Sequence, residues 1–172
     1  MNQIVGKKDR LYVTLYARGG PGYHWALTRS PKHEDPSSGS ESTRYHAHNI
    51  PGAGGVIWEY EIREIRSAPT NNTLVRLHLG KIEPNNVERM EEISANVEVI
   101  QGDNDWTCMS WVQSAVGDLG RARIIRRWNW TEVEAKAVWF VEKKTEEGRF
   151  DEGYDPDVVP TYDLIANKEI ED

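Results

Sequence analysis

Between Arg10 and Ile82 apolar side chains recur at every second residue in one segment after another, and beyond Pro84 they recur every three or four. That change of period sets the fold class, because a strand turns alternate residues to one face and a helix brings round every third or fourth. Residues 10–18 (RLYVTLYAR) set Leu11, Val13, Leu15 and Ala17 against Tyr12, Thr14 and Tyr16, a half-buried strand rich in β-forming residues. Gly19-Gly20-Pro21-Gly22 interrupts the chain, and Tyr23–Arg29 resumes as a second strand. The polar stretch Ser30–Thr43 predicts a hairpin loop, and Arg44–Asn49 returns as a third strand. Val56–Ile65 and Leu74–Ile82 alternate in the same way. About five strands result, antiparallel because their connections are short.

Past Pro84, itself tolerated in a first helical turn, Val87, Met90, Ile93 and Val97 stand at helical spacing. Asp103, Asn104 and Asp105 offer caps for a second helix over 106–119, with Gly120 as its stop and Cys108, Val112, Ala115 and Leu119 as its inward stripe. A third helix is predicted over 131–147, ending at Gly148. The expectation is one α+β domain over residues 1–148, an antiparallel sheet packed on two to three helices. An extended acidic tail over 149–172 follows, since that segment is proline-bearing and poor in pattern.

Charge narrows the function classes. With 21 basic and 28 acidic side chains the net charge is −7, which opposes a phosphate backbone, so no nucleic-acid partner is expected. Arg121, Arg123, Arg126 and Arg127 form a basic run without interleaved aromatic residues and read as a solvated face. No segment approaches the roughly 18 apolar residues of a membrane span, and the polar start MNQIVGKKDR has no signal-peptide core. Cys108 is the only cysteine, so neither an intrachain disulfide nor a thiolate zinc cluster can form, and a cytoplasmic location is expected. The seven tryptophans and seven tyrosines supply a sizeable core from few residues.

Candidate chemistry gathers on Cys108. In the first turn of its helix, unsatisfied N–H groups and the helix dipole favour a thiolate and offer oxyanion donors. Its place on the apolar stripe supports the opposite reading, a buried and inert thiol. His24 opens the second strand and His46 occupies the matching place on the third, so cross-strand contact can supply a base and the group that orients it. His48, two residues on from His46, is an equal candidate for the third role. His78 alternates away from Leu77 and Leu79 and is expected off the core face. A zinc site on His24, His46 and His48 is the metal-based alternative, although no acidic partner is evident for it. No phosphate-binding glycine loop or Gly-x-Ser-x-Gly elbow occurs, and no cofactor is expected.

The order Tyr23-His24-Trp25-Ala26-Leu27, Arg44-Tyr45-His46-Ala47, then Trp106-Thr107-Cys108-Met109-Ser110-Trp111 opening a helix resembles the circularly permuted papain-like fold of the lecithin:retinol acyltransferase-like and NlpC-like enzymes. It is similar also to small fungal proteins that share the HWAL and Trp-x-Cys patterns. The resemblance spans residues 10–120 and rests on about eight positions. It departs from that pattern at Thr107, where the relatives carry Asn, and in the length between the histidine strands and the cysteine. It implies Cys108 as nucleophile, His24 as base, His46 as orienting group, and an acyl-group reaction on a small-molecule or peptide-like substrate. Trp25, Trp58 and Trp111 would line the pocket, with the Ser30–Thr43 loop as a lid. The rival readings are a catalytically silent binding module on the same fold and the histidine-hairpin metal site.

Overall fold

The computed structural model describes residues 7–32, 41–66, 72–153 and 158–170. The alternating segments become β1 (Asp9–Ala17), β2 (Tyr23–Ser30), β3 (Glu41–Gly52), β4 (Gly55–Arg66) and β5 (Thr73–Ile82). A 3₁₀ turn at Pro84–Asn86 leads into α1 (Val87–Ala95), followed by α2 (Cys108–Arg121) and α3 (Trp130–Glu146). Residues 33–40, the centre of the expected lid loop, lie outside the described residues.

Two further strands, β6 (Thr161–Asp163) and β7 (Lys168–Ile170), come from the segment expected as an extended tail. The sheet therefore has seven strands, in the order β4-β3-β2-β1-β5-β6-β7. It is mixed, because β6 lies parallel to β5 while the other neighbours are antiparallel. This corrects the expectation of about five antiparallel strands. The physical reason is that a three-residue strand such as Thr161-Tyr162-Asp163 is too short to show a period, and only the open edge of β5 specifies it.

Odd-numbered strand residues make the core: Leu11, Val13, Leu15, Trp25, Leu27, Tyr45, Ala47, Val75, Leu77 and Leu79 join one buried cluster with the helices. The inward stripe of α2, including Trp111, Val112, Ala115 and Leu119, packs on β2 and β3, and α3 packs on β1 and β5. Burying each large apolar side chain contributes about 1.5–3 kcal/mol relative to exposure, so this face supplies most of the driving force. Even-numbered residues make a second, polar face. There Thr14 and Thr28 hydroxyls meet at 2.7 Å, Ser30 and Ser42 at 2.7 Å, and Arg44 and Arg76 lie over the rings of Tyr16 and Tyr12. Among the described residues no helix is long and apolar enough to cross a membrane.

One local feature positions the site. The β1–β2 ladder runs from Arg10↔Ser30 to Ala17↔Tyr23, whereas the β2–β3 ladder covers only Leu27↔Tyr45 to Arg29↔Thr43. From Ala26 back to Tyr23, β2 is zipped to β1 alone, and from His46 onward β3 is zipped to β4 alone. The sheet opens there, and a backbone N–H that lacks a strand partner must find another acceptor.

Candidate active site

The start of α2 closes this opening. Thr107, with extended backbone (φ −141°, ψ −177°), is the cap: its Oγ1 accepts from Met109 N–H at 3.3 Å, and Ser110 Oγ accepts from Thr107 N–H at 3.0 Å. This reciprocal pair, rather than Asp103–Asp105, sets Cys108 as the first helical residue. Trp25 N–H, released by the parting of β2 from β3, points to Cys108 Sγ at 3.5 Å. A cavity of about 450 Å³ lies alongside, lined by Cys108, His24, Asn49, Trp58, Arg18 and the Gly19–Pro21 turn.

The histidines meet as a chain. His24 Nε2 lies 2.6 Å from His46 Nδ1, with the rings edge to face, and His46 Nε2 lies 3.0 Å from Glu61 Oε1. His46 and Glu61 are direct partners across the β3–β4 ladder. Burial is the main cause that lowers both imidazoles from 6.5 to about 4; for His24 neighbouring cations add to it, and for His46 the Glu61 hydrogen bond opposes it. Glu61 is held below the usual carboxylate range, first by that hydrogen bond.

At neutral pH the chain is thus an ionised carboxylate and two uncharged rings, and this dictates the protons. A carboxylate only accepts, so His46 carries its hydrogen on Nε2 and presents a lone pair at Nδ1. His24 then donates from Nε2, which leaves its own Nδ1 as a proton acceptor. Three strands converge on one basic nitrogen.

One expectation requires correction. The helix terminus was expected to lower the thiol pKa; burial instead pushes Cys108 above its ordinary value, outweighing the Trp25 N–H and the first-turn amides. The reason is that Cys108 is only 2% exposed, and desolvation disfavours the charged form. The cross-strand histidines do not share the face that receives the helix. They stand on the polar face instead, with His24 beside the Tyr16 ring, and meet Cys108 only at the opening of the sheet. Both groups border one cavity, and among the described residues no hydrogen bond joins the sulfur to an imidazole.

His48 stacks on His46 with centroids 5.3 Å apart and approaches Glu59 and Glu61 at 3.7 and 3.9 Å, so it flanks the chain without joining it. His46, His48 and Glu61 are a cluster whose ligand atoms lie within 4.8 Å of one another, a different set from the expected zinc trio. Near-parallel rings, 12° apart, do not aim their lone pairs at one point, and the Arg44 guanidinium already stands 3.6 Å from Glu61. That geometry suits a proton chain better than a metal. Of the tryptophans expected in the pocket, Trp58 lines the cavity, while Trp111 is fully buried against Tyr60 and Trp25 is buried near Trp130. Glu61, Asn49 and Arg18 were not among the sequence candidates.

Comparison with known proteins yields a family without an activity. Residues 8–171 match a family described as a family of unknown function, DUF6914, and the chain belongs to it. No curated protein and no solved structure matches.

Proposed function

We propose that this DUF6914 member is a cysteine-dependent acyl-group enzyme that cleaves or transfers the acyl part of an amide or ester. The observation that carries this reading is the Glu61–His46–His24 chain, which ends beside the cavity that Cys108 lines. The resemblance to permuted papain-like enzymes supports the same roles for Cys108, His24 and His46.

With a raised thiol pKa and a neutral imidazole, the resting pair carries no charge, so the thiol must lose its proton as it attacks. Cys108 Sγ forms a bond to the substrate carbonyl carbon, and its proton passes to His24 Nδ1. The Cys108 N–H, in the first turn of α2, faces its own sulfur and is the donor offered to the developing oxyanion, while Trp25 N–H stabilises charge on sulfur. The C–N or C–O bond then breaks as the leaving group takes the proton from His24. Water or an acceptor nucleophile, deprotonated by His24, then adds to the thioester carbonyl; the C–S bond breaks to release the acyl product, and His24 returns the proton to Cys108 Sγ. His46 acts as a positioning residue and Glu61 holds its tautomer.

The test is the rate at which iodoacetamide alkylates Cys108 at pH 7, followed by mass spectrometry. His24→Ala should slow it on the order of a hundredfold, within the range set by loss of a positioned base. Equal, slow rates in both proteins support instead a silent binding module, a reading favoured by the buried, protonated thiol and its lack of a direct imidazole bond.

A further inference from the structure

At the opposite end of α2 lies a second cavity, of about 570 Å³, that the acyl chemistry does not use. Its floor is apolar, made by Leu79, Ile124 and Ile125, and half-exposed Ile165 stands at its side. Its rim holds four cations: Lys81 from the end of β5 and Arg123, Arg126 and Arg127 from the α2–α3 connection. Between Asp118 and Glu132 the chain has no acidic residue, and among the described residues no carboxylate lines the cavity. Among the described residues none of these four cations makes an ion pair, whereas neighbouring Arg121 is paired with Asp118. In a chain of net charge −7, this is a local excess of four positive charges without an anionic partner among the described residues.

Arg123 makes the arrangement specific. Helix α2 ends in a paired-hydrogen-bond cap: Ile124 N–H donates to Leu119 O at 3.0 Å and Arg123 N–H to Gly120 O at 3.1 Å. The residue that turns this cap adopts left-handed backbone, the position glycine usually fills, yet here it is Arg123 at φ +59°. Ile124 and Ile125, each less than 8% exposed, anchor the connection in the core between the arginines. Arg126 lies over the Trp128 ring at 4.5 Å, and Trp128 Nε1–H donates to Leu79 O at 3.1 Å, so that guanidinium is held against the wall. A guanidinium kept where its backbone is strained, over an apolar floor, fits a ligand with clustered anionic oxygens and an apolar body.

We propose that this cavity binds a small molecule bearing a phosphate or pyrophosphate group on an apolar or aromatic moiety, with Arg123 and Arg127 forking its oxygens and Ile124 and Ile165 meeting the apolar part. The volume is that of a small-molecule site rather than a polymer track. Titration calorimetry at 50 mM NaCl with inorganic phosphate, phenyl phosphate and pyrophosphate tests it. Phenyl phosphate and pyrophosphate should each saturate one site, more tightly than inorganic phosphate. Arg123→Gly should weaken both at least tenfold while its thermal midpoint equals or exceeds that of the parent chain, because glycine relieves the left-handed backbone. Arg127→Gln should weaken both similarly, and Arg121→Ala should change neither. Absence of saturation, or affinity indifferent to Arg123→Gly and Arg127→Gln, overturns the assignment. So does tight binding of a single-stranded RNA that pyrophosphate fails to displace, since it would make the arginines a polymer surface. None of these outcomes bears on Cys108 alkylation.

Discussion

Among the described residues the polar face of the sheet carries two buried histidines each paired with a half-buried carboxylate, and only one of these pairs leads anywhere. His46 faces Glu61 across the β3–β4 ladder at 3.0 Å, and His78 faces Asp163 across the β5–β6 ladder at 3.4 Å. Each imidazole is 4% exposed. What separates them is the second ring nitrogen. His46 Nδ1 reaches His24 and, through it, the cavity beside Cys108, whereas His78 Nε2 is buried without a hydrogen-bond partner among the described residues, near the Tyr12 ring. An acid that fixes a tautomer serves chemistry only when the other nitrogen is handed to a group with access to substrate. The His78 pair instead ties the three-residue parallel strand β6 to the sheet.

Acid should separate the pairs most strongly. His24 and His46 are lowered to about 4 in the folded chain and return to about 6.5 on unfolding, so below pH 6.5 the unfolded state binds more protons. Stability attributable to them is complete above that pH and is lost as pH falls toward 4, by on the order of a few kcal/mol for the two together. His78 is lowered in the same sense. Urea denaturation between pH 4 and 7 should show this slope flattened in His24→Asn/His46→Asn and mostly retained in His78→Asn; the reverse pattern would exchange the roles of the two pairs.

Glu61→Gln should have the next largest effect. An amide can donate to His46 as readily as accept, which releases the tautomer, so Cys108 alkylation at pH 7 should slow by roughly ten- to a hundredfold. Asp163→Asn should leave that rate within about twofold. Smallest is the stability contribution of the sealed pair. His78→Asn should destabilise the chain by about 1 kcal/mol, the typical net worth of one hydrogen bond, as read from the urea midpoint, with native-state alkylation unchanged.

Much of this was legible in the residues themselves. The five long strands and three helices follow from apolar period, and their observed ends differ from the expected ones by no more than about three residues. Cys108 at the head of α2 and the meeting of His24 with His46 were both readable from strand and helix positions. Glu61 was legible too and went unread. The hairpin turn pairs Gly52 with Gly55, and six residues back from one and six on from the other stand His46 and Glu61. Counting register outward from a tight turn would have supplied the missing acid.

Other features had no local trace. His78 was expected off the core face, and it does leave the odd-numbered core, but burial on the polar face with Asp163 depends on β6, which no periodicity announces. The three arginines of the second cavity look like an ordinary solvated run until Lys81 joins them from β5 and the cap of α2 turns at Arg123.

Sequence alone determined the elements, the face each strand buries, and the identity of the sulfur and imidazoles, because period, turn residues and side-chain chemistry are local properties. Tertiary structure decided where the sheet opens, which amide meets the thiol, and whether that thiol rests protonated. Those outcomes depend on desolvation and on hydrogen-bond partners brought together from distant segments, and Trp25 and Cys108, the two ends of the contact at the opening, are 83 positions apart in the chain.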